Sequence, residues 1–163
     1  MYRKVADFLA DWTKSAEGTR KVLEAMSDEK LDQAIVEGHN TLGWLGWHIT
    51  TSIPFFAGLV GLSVTPPGDK SRIPVHAKEI LEAYQKVSEE LKRQVKEKLT
   101  DENLTEEVSG VGNPAPRGAL LRALIDHQTH HRGQMTVLLR QAGLPVPGVM
   151  GPTKEERMKE KRH

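Results

Sequence analysis

Residues 117–141 read RGALLRALIDHQTHHRGQMTVLLRQ, a proline-free run closed by Gly143 and Pro145, which supply a helix stop. At about 100° per residue and with His127 as origin, Leu120 and Leu138 fall near about 20°, His131 near about 40°, Leu124 near about 60° and Met135 near about 80°. The spacing therefore predicts a helix from Arg117 to Gln141 whose apolar stripe also carries His127 and His131. His130 falls near about −60°, at the edge of that stripe. A helix with one apolar face needs partners to bury it against.

Three more segments supply them. Val5, Leu9, Trp12, Ala16, Thr19, Leu23 and Met26 recur at spacings of four and three, which predicts a helix over residues 3–26. Gly18 weakens that helix without ending it. The polar run from Ser27 to Asn40 is a connection with room for a short helix. A second long helix begins with Asn40 or Thr41 as its cap and turns Leu42, Leu45, His48, Ile49, Ser52, Phe55, Phe56 and Leu59 inward, with a kink expected at Pro54. A third runs over 75–99 with Ile80, Tyr84, Val87, Leu91 and Val95 inward and Glu and Lys outward.

Gly61 to Pro74 and Asp101 to Pro116 are rich in Gly and Pro and are expected to be loops. The first has 14 residues, enough at about 3.3 Å each to run back along a 20-residue helix, so a parallel pairing of the second and third helices is allowed. There is no strand-like alternation of useful length and no internal repeat. The fold class is all-α, a four-helix bundle over residues 1–152, followed by a charged tail over 153–163. Thr153 and Glu156 fit a capping box in that tail, and its interleaved glutamates favour a solvated segment over a nucleic-acid contact.

Composition narrows the chemistry. The chain has 163 residues, 23 Lys+Arg against 22 Asp+Glu, seven His and no Cys. That length suits one domain with a real core. The absence of Cys excludes disulfide scaffolds, thiolate zinc sites, iron–sulfur clusters and a cysteine nucleophile. A net charge of +1 gives no reason to expect nucleic acid or an anionic membrane as partner. Asp7 and Asp11 interrupt the first apolar run, so it does not read as a secretory signal. The most apolar stretch, Ile53 to Leu62, is too short to span a bilayer, so the expectation is a cytoplasmic protein.

What remains is histidine. Two imidazoles at i and i+4 on one helix face can hold one metal ion. The bland alternative, two hydrogen-bonded core histidines, carries the cost of burying polar rings among leucines. His48 shares its face with Leu45, Ser52, Phe55 and Leu59, so it too should enter the bundle. Three imidazoles with one position left open is the pattern of a catalytic rather than a structural site.

The segment Gly43-Trp44-Leu45-Gly46-Trp47-His48, followed by His127-Gln128-Thr129-His130-His131-Arg132-Gly133-Gln134, resembles the DinB/YfiT-like family. The resemblance extends from Tyr2 to Pro152. It implies up-down-down-up topology, a homodimer, and a divalent metal held by three histidines, which map onto His48, His127 and His131. Some members transfer low-molecular-weight thiols, although their substrate-recognition residues have no evident counterpart here.

Other residues carry weaker readings. Arg132 is expected to meet a carboxylate or loop carbonyl, Gly133 to admit a close neighbour, and Asp126 either to support an imidazole or to face solvent. Trp12, Trp44 and Trp47 read as packing rather than a base-stacking platform. Glu37 and His39 lie within reach of the bundle mouth, while His76 and His163 read as exposed. The favoured function is a metal-dependent transferase using a small external thiol, with zinc or nickel as the ion and a small molecule as substrate. A metal-dependent hydrolase, a non-catalytic metal-binding bundle and a bundle without metal are the alternatives.

Overall fold

The computed structural model describes residues 1–162. Four long helices make the body: α1 (Val5–Glu24), α2 (Leu42–Leu59), α3 (Ala77–Lys98) and α5 (Arg117–Gln141). Short elements fill the connections. A 3₁₀ turn spans Asp28–Lys30, α4 is Asp101–Leu104, and a two-stranded antiparallel hairpin pairs β1 (Glu107–Val108) with β2 (Ala115–Pro116). A final helix, α6, covers Lys154–Glu160.

Local signals mark two of the helix ends. Thr41 Oγ1 accepts from Trp44 N at the start of α2, which satisfies one of the first-turn amides. Gly143 takes φ 75° just beyond α5, a conformation glycine adopts without a Cβ penalty. Helix α2 continues through Pro54 as a single element. Proline removes one backbone donor, and the packing around α2 holds the helix together across that gap.

Hydrogen bonds between elements define the topology. Arg117 Nε donates to Val60 O, which sets the start of α5 against the end of α2. Trp12 Nε1 donates to Ser88 O, and Val5 N donates to Asp101 Oδ1, so α1 and α3 run antiparallel. Tyr2 N meets Gly118 O and Arg132 meets Ser15, which makes α1 and α5 parallel. Gln94 Nε2 donates to Ser63 O just past α2, and Ile80 lies beside Gly46, so α2 and α3 also run in parallel. The segment between them retraces the length of the bundle. This is the up-down-down-up arrangement.

The core combines Phe8, Trp12, Val22 and Leu23 of α1 with Leu42, Ile49 and Ile53 of α2, Ile80, Tyr84, Leu91 and Val95 of α3, and Leu121, Leu124, Met135 and Leu139 of α5. A Cβ on Gly46 would meet Leu23 Cδ2 at 3.1 Å; the missing side chain leaves room in the core for Leu23.

Three expectations are corrected. On α1 the buried stripe includes Phe8, Ser15 and Val22, while Val5, Leu9 and Ala16 are half-buried. Phe55, placed inward by the wheel, is 55% exposed. Helix α2 is apolar around most of its circumference, so only its contacts with α3 and α5 select a face. Residues 101–116 are not a plain loop. Thr100 and Asn103 form a reciprocal capping box on α4, and the Gly-rich segment that follows folds into the hairpin. The capping box at Thr153 and Glu156 is present, and every residue of α6 is exposed.

Candidate metal centre

His48 on α2 faces His127 and His131 on α5, and their nearest ring nitrogens all lie within 4.8 Å of one another. Antiparallel packing of α2 against α5 makes the meeting possible. The i, i+4 spacing stacks the two α5 rings on one face, and the N-terminal half of α2 presents His48 to them. His48 Nε2 and His127 Nε2 are 3.1 Å apart. The ring centroids of His127 and His131 are 4.5 Å apart and those of His48 and His131 4.7 Å. No carboxylate belongs to the cluster among the described residues.

The surroundings orient the rings. Gln134 Oε1 accepts from His131 Nδ1 at 2.8 Å; with the proton held on Nδ1, the Nε2 lone pair is left free. Trp44, one turn before His48, stacks on it at 4.6 Å with planes 14° apart. Phe56 lies 5.4 Å from His127. Burial, and then the neighbouring His131, hold His48 below the ordinary imidazole range. Burial pushes His127 down to about 4, with smaller contributions from His131, His48 and His130. Neutral rings present lone pairs, as metal ligation requires.

These residues fit a divalent transition metal. Tetrahedral zinc with Zn–N of about 2.0–2.1 Å places its nitrogens about 3.3 Å apart, and the two facing Nε2 atoms are close to that separation. In a hydrogen bond between them only one can carry a proton, whereas a cation would engage both lone pairs. Nδ1 of His127 is buried with no partner, so its ring is held by packing and by His48 alone.

The other histidines stand apart. His130 is exposed and edges against the outer side of His131 at 4.9 Å. His76 is exposed and pairs with Asp28 at 2.9 Å. His39 lines a groove of about 240 Å³ with Ile35, Asn40, Leu45, Gln134 and Leu138. Glu37 does not line it, and His163 lies outside the described residues. Asp126 takes the solvent-facing option and binds Arg122 at 2.9 Å. Arg132 meets no carboxylate; it donates instead to Ser15 and Thr19 on α1. A Cβ on Gly133 would meet nothing within 4 Å, so no neighbour approaches it.

Two glutamines were not assigned roles from sequence. Gln134 anchors His131. Gln128 is fully buried, accepts from Tyr84 O–H at 3.0 Å and donates to Ile49 O at 2.9 Å. It ties α5 to α3 and α2 beside His127. The available signal was a polar side chain on an otherwise apolar arc, one residue after a candidate ligand.

A family model described as the DinB family matches residues 1–162. An uncharacterized protein, YrdA of Bacillus subtilis (strain 168), is 40% identical over 156 residues, which is 96% of this chain and 93% of that one. A DinB-like protein from Bacillus cereus ATCC 10987, solved by crystallography, superposes with a TM-score of 0.88 at 44% identity, covering 91% of this chain and 99% of its own. A second DinB-like crystal structure, YjoA of Bacillus subtilis, gives 0.70 at 22% identity over 90% of this chain and 99% of its own, a likeness of fold.

Proposed function

This chain belongs to the DinB family, and from that premise we propose that His48, His127 and His131 bind one divalent ion, zinc or nickel, in a transferase that uses a low-molecular-weight thiol. The observation that carries the reading is the convergence of three imidazoles from two helices, two of them with Nε2 atoms 3.1 Å apart. When bound, the ion would lower the pKa of a sulfhydryl at its open position, making available the thiolate that a chain without Cys cannot provide.

The protein's own part is positioning. Gln134 holds the proton of His131 on the outward nitrogen. Trp44 and Phe56 limit how far His48 and His127 can swing. The groove that shares Gln134 with the site has apolar walls in Leu45, Val137 and Leu138, suited to a small molecule with an electrophilic carbon. With His48, His127 and His131 holding an ion, a thiol there would bond through sulfur to that carbon, displacing the leaving group. The proposal includes a homodimer and a cytoplasmic location, with neither nucleic acid nor membrane as partner. No helix among the described residues is long and apolar enough to cross a membrane.

Two measurements test it. Protein purified without a histidine tag and titrated with zinc should bind one equivalent. His127→Ala should abolish that binding and His130→Ala should retain most of it; equal losses would reject the ligand set. Metal-loaded protein should then accelerate conjugation of a small thiol to a haloarene, and the metal-free form should not. Binding at one equivalent with conjugation at the background rate would leave a metal-binding bundle without transferase activity.

A further inference from the structure

On the face of α5 that meets α1, about 100° round the helix from His131, Arg132 is only 5% exposed. Its Nη1 donates to Ser15 O at 3.0 Å, Ser15 Oγ at 3.0 Å and Thr19 Oγ1 at 3.1 Å, all neutral acceptors. Among the described residues its Nε and Nη2 donate to nothing, and neither is sealed from solvent, since His127 Nδ1 is the sole buried unpartnered side-chain atom. A buried guanidinium without a counter-charge is costly to desolvate.

Arg132 lines a cavity of about 230 Å³ between α1 and α5, with Val149 also in its wall. Four other charged groups face it: Lys14, Arg122, Asp11 and Asp126. Asp126 is paired with Arg122 at 2.9 Å, and Asp11 accepts the Tyr2 hydroxyl at 2.6 Å. Lys14 and Arg132 take part in no ion pair among the described residues, so the cavity carries one positive charge in excess. The Nε–Nη2 edge of a guanidinium is the fork that receives a carboxylate through two parallel hydrogen bonds.

We propose that this cavity binds a small carboxylate on the open edge of Arg132, with Lys14 adding long-range attraction. Ser15 and Thr19 hold the guanidinium in place from its opposite nitrogen. The site lies outside the histidine cluster and does not depend on metal.

The probe is acetate, added to full-length ¹⁵N-labelled protein at constant ionic strength with chloride as the balancing anion. The Arg132 Nε–H resonance should shift saturably with acetate and stay in place when chloride alone is varied. Lys14→Glu, a surface change that reverses the local excess charge, should weaken acetate binding severalfold. Arg132→Lys keeps the charge but loses the fork, and the acetate-dependent shifts that the Ser15 and Thr19 backbone amides show in the unaltered protein should vanish while circular dichroism shows an intact helical fold. An unmoved Arg132 resonance, an equal shift with chloride, or an unchanged affinity in Lys14→Glu would overturn the proposal.

Discussion

His131 and Gln134 form the most informative residue pair. The glutamine is exposed and carries no load in the core, yet its oxygen determines which imidazole nitrogen keeps the proton. Gln134→Ala should therefore fold normally and lose about 10- to 100-fold in zinc affinity, measured by competition with a chromogenic chelator; unchanged affinity would mean the ring needs no anchor. His127 makes a separate prediction about pH. Its native pKa is pushed down to about 4, whereas in the unfolded chain imidazole titrates near about 6.5. Between those values the unfolded state binds more protons, so the contribution is complete above about pH 6.5 and is lost as pH falls toward about 4. The urea midpoint of metal-free protein should drop over that interval, and His127→Gln should reduce the drop. Equal slopes in the two proteins would exclude His127 as its source.

At the scale of elements, Gln128 connects three helices with two hydrogen bonds in a dry setting. Gln128→Ala removes packing and strands the buried Tyr84 hydroxyl, a loss of about 2–4 kcal/mol, read as a lower unfolding free energy in urea. Tyr84→Phe leaves only the amide oxygen short of a donor and should cost about 1 kcal/mol. A smaller loss for Gln128→Ala than for Tyr84→Phe would show that the three-helix connection contributes little. The same element explains where one-dimensional reading stopped. On α5 the helical wheel locates His127 and His131 because they share one arc with Leu120, Leu124, Met135 and Leu138. Helix α2 is apolar on most sides, so the wheel turns Phe55 inward while packing leaves it in solvent.

For the whole molecule, a metal ion held by α2 and α5 would bind the folded chain and not the unfolded one. Zinc at 100 times its Kd should stabilise the protein by about 2.7 kcal/mol, raising Tm. Slower amide exchange should concentrate around His48 and His127, and chelation should reverse both effects; a Tm indifferent to zinc would count against the site. The residues alone were sufficient for an all-α bundle, the approximate extents of its long helices, a cap at Asn40 or Thr41, the Gly143 stop and the inward direction of three histidines, because helical periodicity and capping are encoded within a few neighbouring positions. Tertiary structure decided what depends on approach between distant segments. It selected the parallel path of α2 and α3 that a 14-residue connection had merely permitted. It also folded residues 101–116 into a helical turn and hairpin, brought Trp44 and Phe56 around the imidazoles, and left Arg132 buried against hydroxyls rather than a carboxylate. A helical wheel gives the direction in which a side chain leaves its own axis; what it meets there depends on the separation, tilt and register of another helix, which no local pattern records.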